Sequence, residues 1–123
     1  TLKRITDKVR SSLDESQILQ TAVAELAIGL GMSGCNAALY DLELGTSTIC
    51  YECAVTIPAE QGSVAVMANF PELYNQLLKG QYFQFCSIAP NPVRGRVALL
   101  ACPILDDQRV LGDLWLINDR EYG

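Results

Sequence analysis

Five cysteines and one isolated aspartate are the residues of this sequence best suited to chemistry. Cys50 and Cys53 form a CxxC motif, and Cys86 and Cys102 follow at wider spacing. Because thiolates ligate zinc and iron–sulfur clusters, these four residues define one hypothesis, a metal-cluster or redox site. The alternative is that they are small buried residues, since free cysteine is among the most buried residue types. A regular strand places residues three apart on opposite faces, so a joint site for Cys50 and Cys53 requires a bulge.

Histidine is absent, and the number of cysteines is odd. Without histidine, this segment has no Ser-His or Cys-His catalytic pair and no histidine ligand for zinc. An odd number of cysteines, in a sequence without a secretion signal, argues against a disulfide framework and favours reduced thiols. Sites that need a histidine or a disulfide framework are therefore not expected in this segment.

The aspartate, Asp113, lies in the apolar segment RGRVALLACPILDDQRVLGDLWLIN. Two apolar runs around Asp106-Asp107-Gln108 predict a hairpin at the centre of a sheet, covered on both faces. Alternation places Asp113 on the same face as Leu111, Trp115 and Ile117. A buried carboxylate without a partner is costly, so Asp113 needs a partner or a ligand.

Two interpretations of Asp113 remain open: it contributes to a ligand site, or it pairs with an arginine such as Arg94 or Arg96. Aromatic residues could line the wall of a planar-ligand site or simply pack in the core. They are Trp115, Tyr40, Phe85, Tyr82 and Tyr51.

The composition supports one hydrophobic core, with 123 residues of which 50% are hydrophobic. A net charge of −5 gives no electrostatic attraction to nucleic acid or to an anionic membrane. No apolar run reaches the roughly 20 residues of a membrane span, so we expect a cytoplasmic domain.

Helical spacing predicts a first helix over Thr1 to Leu13 and a second that begins at Asp14, with Asp14 and Gln17 as a capping box. Strands are predicted over Cys35 to Asp41 and Thr48 to Thr56. The segment Ser63 to Ala68 fits either a short strand or a helical turn. Further along the chain, the pattern predicts a short helix from Pro71 that ends before Gly80, then a strand over Tyr82 to Cys86.

Three segments resemble GAF domains, in particular those of cyanobacterial-type multi-sensor histidine kinases. They are LKRITDKVRSSLDESQILQTAVAEL, FPELYNQLLKGQYFQF and VALLACPILDDQRVLGDLWLIND. The resemblance implies an α+β fold, with a GAF/PAS-like antiparallel sheet of about five or six strands between helices on one face and a ligand pocket on the other. It also implies a single GAF domain over residues 1–123, with residues 1–13 as an incoming linker helix and the closing C-terminal helix missing.

By this resemblance, the face that carries Asp113, Trp115 and Ile117 lines the ligand pocket, with Tyr40, Phe85 and Cys86 as further candidates. Bilin-binding relatives commonly carry a Cys-His pair, which this sequence lacks, so we expect a small-molecule cofactor of unknown identity and no covalent bilin.

By this resemblance, the expected function is sensory and non-catalytic: ligand or redox state is transmitted through a homodimer of terminal helices to a downstream domain, such as the kinase of a two-component system. One alternative is a cysteine-based redox or metal-cluster sensor. Another is a GAF domain that binds no ligand and serves as a dimerisation spacer.

Overall fold

The computed structural model describes the backbone of residues 2–86 and 98–118, and the side chains of 15–84 and 99–118. Within these ranges two α-helices, one 3₁₀ turn and six strands follow one another. They are α1 (Leu2–Gly29), β1 (Gly34–Asp41), β2 (Thr46–Ala54), β3 (Val64–Val66), the 3₁₀ turn (Met67–Asn69), α2 (Pro71–Leu78), β4 (Phe83–Cys86), β5 (Ala98–Asp106) and β6 (Arg109–Asn118).

The six strands form one antiparallel sheet in the order β3-β2-β1-β6-β5-β4. The two central strands are β1 and β6, and β5 lies directly beside β6. This arrangement confirms the predicted α+β fold with its central hairpin. The predicted strand boundaries are correct to within two residues, and Ser63 to Ala68 contains both a short strand and the start of the 3₁₀ turn.

Alternation along β6 divides its side chains between two layers. Leu114 and Leu116 pack in a cluster with Val23 and Ala27 of α1. Trp115 packs on the opposite face, in a cluster that contains Tyr74 and Leu77 of α2. Both faces of the sheet are therefore covered, as the apolar character of the central strands predicts.

Helix α1 is continuous from Leu2 to Gly29, so the predicted break and N-cap at Asp14 are wrong. No glycine or proline interrupts the sequence between Leu2 and Ile28, so the backbone hydrogen bonds continue through Asp14. The helix ends at Gly29, shortly before a second glycine, Gly31. Gly31 has φ +64, and the Met32 N–H donates to the Ala27 carbonyl at 2.8 Å, as in a Schellman motif.

Within the described residues, no helix combines the length and the apolarity that crossing a membrane requires.

Substitution of Gly112 by alanine is expected to destabilise the fold by about 2 kcal/mol or more. An added Cβ at Gly112 would lie 1.9 Å from the Ala38 carbonyl oxygen and 3.0 Å from Leu39 Cα, so β1 and β6 would have to separate. Urea unfolding followed by circular dichroism measures the loss. The matched control is Gly29→Ala, because an added Cβ there meets nothing within 4 Å. That variant should be neutral or slightly more stable, and equal stability of the two variants would contradict the prediction.

Candidate functional site

A cavity of about 320 Å³ lies on the α2 side of the sheet. This volume is at the small end of the range for ligand sites, roughly 300–1,000 Å³. Its apolar and aromatic lining residues are Ala38, Ile49, Val64, Ala65, Phe70, Leu73, Tyr74, Leu99, Trp115 and Ile117. Its polar lining residues are Asn36, Ser47, Glu60 and Ser63. A mainly apolar wall with a few polar groups is typical of a small-molecule site.

Asp113 is fully buried beside this cavity, at 0% exposure. Its cross-strand partner Ala38 and its strand neighbour Trp115 both line the cavity. The Tyr40 hydroxyl donates a hydrogen bond to Asp113 Oδ2 at 2.5 Å, whereas Oδ1 accepts none from the described residues. Burial raises the pKa of Asp113 to about 6, although hydrogen bonds from the Tyr40 and Trp115 side chains act to lower it.

Two tyrosines surround the carboxylate. The rings of Tyr40 and Tyr74 meet edge to face, with centroids 5.7 Å apart. Burial is the main cause that raises the pKa of Tyr40, and the negative charge of Asp113 adds to it. Burial also raises the pKa of Tyr74, while a hydrogen bond with Ser47 lowers it. Both hydroxyls therefore stay protonated near neutral pH and can serve as hydrogen-bond donors.

Asn36 provides a second buried acceptor on the same face of the sheet. It is 4% exposed, lies opposite Trp115 in the β1–β6 register and lines the cavity. Its Oδ1 accepts no hydrogen bond from the described residues. Since buried polar atoms are nearly always hydrogen-bonded, the Oδ1 atoms of Asn36 and Asp113 are places where a ligand can donate.

The loop after β2 is held at one side of the cavity by Glu52. The Glu52 carboxylate accepts hydrogen bonds from the backbone N–H of Glu60, at 2.8 Å, and of Gln61, at 3.0 Å. Gln61 Nε2 also donates to the Cys50 carbonyl at 3.0 Å. These contacts position Glu60 on the cavity wall.

The structure brings together four of the residues predicted for the ligand site: Tyr40, Asp113, Trp115 and Ile117. The side chains of Phe85 and Cys86, and all of Arg94 and Arg96, lie outside the described residues.

Two aromatic candidates lie elsewhere. Tyr51 lies on the α1 face, where it contacts Ser16 at 2.7 Å, and Tyr82 is 63% exposed. The proposal that they line the pocket is therefore wrong, because sheet register and strand ends, which composition does not reveal, decide where a ring points.

Sequence reasoning missed Asn36, Ser47, Phe70 and Tyr74. For Asn36 a signal exists: it is a polar residue within the apolar strand GCNAALY, as Asp113 is in β6. Phe70 and Tyr74 lie over the sheet because the 3₁₀ turn and α2 place them there. No local sequence pattern predicts that these two residues line the cavity.

Of the cysteines predicted as metal or redox ligands, Cys53 and Cys102 lie on the α1 face of the sheet, and Cys50 lies at a bulge. Cys50 is the extra residue at the β-bulge opposite Ala37 and Ala38, and its thiol donates to the Thr48 carbonyl at 3.4 Å. Cys102 lies in β5 opposite Leu114, and the Cys86 side chain is outside the described ranges. In the part of the chain that the structure describes, no three Cys, His, Asp or Glu residues are placed to hold a metal ion.

No protein-family model and no curated protein matches this sequence. Solved structures do match it. The GAF domain of PixJ from Thermosynechococcus elongatus, in its blue-light-absorbing form, superposes with a TM-score of 0.71 at 20% identity, over 89% of this chain and 74% of that chain. This chain has the fold of a GAF domain. A phycocyanobilin-bound GAF domain from a cyanobacterial phytochrome gives 0.68 at 17% identity, over 99% and 80%.

A GAF structure from another class of protein is similar as well. It is the GAF domain of a phosphoenolpyruvate-protein phosphotransferase from Coxiella burnetii, with a TM-score of 0.64 at 17% identity, over 99% of this chain and 79% of that one. The GAF fold predicted from the sequence is thereby confirmed.

The prediction about the cofactor requires correction. It left the cofactor unknown and set covalent bilins aside because no Cys-His pair is present. The structural neighbours include GAF domains bound to phycocyanobilin and to phycoerythrobilin. A Cys-His pair concerns one way of attaching a bilin, whereas the shape and donors of the pocket decide which ligand class fits. The exclusion of bilins is therefore withdrawn.

Lowering the pH from 7 to 4 is expected to stabilise the protein relative to an Asp113→Asn variant. Burial raises the pKa of Asp113 from 3.8 to about 6 in the folded state, so the folded state binds this proton more tightly than the unfolded state. Stability is therefore lost as the pH rises from about 4 to 6. The difference in unfolding free energy, wild type minus variant, should fall by about 2 to 3 kcal/mol across that range.

Urea titrations at a series of pH values measure this difference. Wild type and variant share every other carboxylate, so the contributions of those groups cancel. Glu43→Gln, which removes one carboxylate at an exposed position in the β1–β2 turn, is the matched control. A pH-independent difference for Asp113→Asn would contradict the assignment.

Proposed function

We propose that this GAF domain is a sensory module, without catalytic activity of its own, that binds a small planar ligand with N–H donors. One observation carries the proposal: among the described residues, nothing donates to the buried acceptors Asn36 Oδ1 and Asp113 Oδ1, next to an aromatic-lined cavity. A ligand that donates to these oxygens would recover the hydrogen bonds that their burial costs. Trp115 and Tyr74 offer ring faces and edges to a planar molecule.

Linear tetrapyrroles fit this donor and acceptor pattern. Their pyrrole N–H groups match the two acceptor oxygens, and their conjugated rings match the aromatic wall. Asp113 and Asn36 would accept the N–H groups, and Trp115 and Tyr74 would pack against the rings. When bound, such a group supplies absorption of visible light. The bilin-bound structural neighbours support this ligand class, and the two buried acceptors, which accept no hydrogen bond from the described residues, support it independently.

Mixing the purified domain with phycocyanobilin, and separately with phycoerythrobilin, tests this proposal. We expect a shifted and narrowed visible absorption band and a raised melting temperature, because a ligand that binds only the folded state stabilises it. Asp113→Asn should weaken binding by about tenfold, since a charge-assisted hydrogen bond is lost. Tyr51→Phe, on the opposite face of the sheet, is the matched control and should bind normally.

Failure of both bilins to alter the spectrum or the melting temperature would overturn the bilin assignment. It would also favour the alternative of a dimerisation spacer that binds no ligand.

Helix α1 supports a second part of the proposal, the transmission of the signal through a homodimer. Its outer face exposes Ile18 at 66% and Ile28 at 70%, and apolar groups exposed together on a surface can form a protein–protein interface. Thr21, Ala22 and Glu25 surround Ile18 in a shallow depression. We propose that α1 packs against α1 of a second copy, and that a shift between two packings of this pair biases a downstream signalling domain, such as a histidine kinase.

An Ile18→Lys substitution tests the dimer. We expect light scattering over a concentration series to show a dimer for the wild type and a monomer for the variant, because a buried lysine without a partner opposes association. Gln20→Lys adds the same charge at another exposed position on α1 and should leave the dimer intact. A wild-type chain that stays monomeric at all concentrations would refute the proposal.

A further inference from the structure

Cys35 and Cys53 face each other across the β1–β2 pair. The antiparallel register makes them direct partners, between the pairs Gly34 with Ala54 and Asn36 with Glu52. Directly opposed residues point to the same face of a sheet. Both thiols accordingly pack in the one cluster beneath α1, on the side of the sheet away from the cavity.

The spacing of such a pair suits a disulfide. Opposed residues in antiparallel strands have Cα atoms about 4.5 to 5.5 Å apart. Disulfide-bonded cysteines have Cα atoms about 4.4 to 6.8 Å apart, so no strand has to leave the sheet for the bond to form. Both cysteines are free thiols in the structure.

The two thiols differ in access to solvent, which sets the order of events. Cys35 is 1% exposed, and burial raises its pKa to about 12, with the neighbouring Cys53 and Cys102 adding to the effect. Cys53 is partly exposed. An oxidant from solvent therefore reaches Cys53 first, and Cys35 is the thiol held next to it.

We propose that Cys35 and Cys53 form a redox-active dithiol that is converted by a hydroperoxide to a reversible cross-strand disulfide. In the first step the Cys53 sulfur attacks the peroxide, the O–O bond breaks, and a sulfenic acid and one molecule of alcohol or water result. In the second step the Cys35 sulfur attacks the Cys53 sulfur, the S–O bond breaks, and water leaves with the Cys35 proton. The two thiols together lose two electrons, which the peroxide gains, and a dithiol reductant reverses the change.

This disulfide site couples to α1 through packing. Cys35 is one of the buried residues against which Val23 and Ala27 of α1 lie, and Cys53 packs on the same cluster. Formation of an S–S bond of about 2.05 Å draws together two sulfur atoms that otherwise remain at van der Waals distance. The surface beneath α1 then changes shape, independently of any ligand in the cavity.

Peroxide treatment of the whole domain tests the site. After hydrogen peroxide in slight excess, the protein is denatured, alkylated, digested and analysed by mass spectrometry. We expect the loss of two of the five thiols and a linked pair of peptides that contain Cys35 and Cys53. Dithiothreitol should restore all five.

The matched control is Cys50→Ser, which keeps the dithiol and should still lose two thiols. Cys53→Ser should lose none and should leave Cys35 reduced. Because the test is first made on the wild type, it does not depend on the folding of any variant. A linked peptide that joins Cys53 to Cys50 or Cys102, or oxidation of Cys53 to sulfinic acid without a linked peptide, would overturn the proposal.

Discussion

The pairing of β1 with β6 is the contact on which the other parts of this structure depend. It joins strands that are distant in the sequence, and it places the β1–β2 hairpin and the β5–β6 hairpin in one sheet. Gly112 allows it, because the backbone of Ala38 approaches so closely that a Cβ has no room. Loss of this pairing would separate the two halves of the sheet and both hydrophobic clusters.

The same pairing explains how the fold retains a buried carboxylate. Asp113 lies next to Gly112, directly opposite Ala38, and Tyr40 reaches it from β1 with a hydroxyl donor. The hydrogen bonds from Tyr40 and Trp115 offset only part of the cost of burying a charge, and the raised pKa of Asp113 reflects the remainder. A hydrophobic residue would pack at this position without that cost. Strongly perturbed carboxylates beside cavities are typical of functional sites, which agrees with the ligand site proposed for Asp113.

Neighbouring residues along a strand lie on opposite faces of the sheet, and this separates the proposed ligand site from the proposed dithiol. In β1, Asn36 faces the cavity, whereas its neighbours Cys35 and Ala37 face α1. The proposed ligand site and the proposed dithiol thus lie on opposite sides of the same backbone. In the proposed function, a change on either side acts on strands that also support α1, so that one helix can report both.

Local patterns in the sequence determined much of this protein. Alternation in β6 placed Asp113, Trp115 and Ile117 on one face, Pro71 and Gly80 bounded α2, and the glycines ended α1, because strand period and backbone restriction act over a few residues. Continuity of α1 through Asp14 went against a local signal, since a capping residue does not stop a helix whose hydrogen bonds can continue.

Only the tertiary structure decided which residues form the two pairs on which the proposals depend. Tyr40 and Asp113 are 73 residues apart in the sequence, and Cys35 meets Cys53 solely through the register of β1 on β2. The register changes at a one-residue bulge at Cys50. This bulge also decides which residues of β2 face the cavity. Sequence periodicity fixes which residues of one strand share a face. Strand pairing depends instead on the packing of the whole core, and this packing decides which residues of the neighbouring strand lie opposite them.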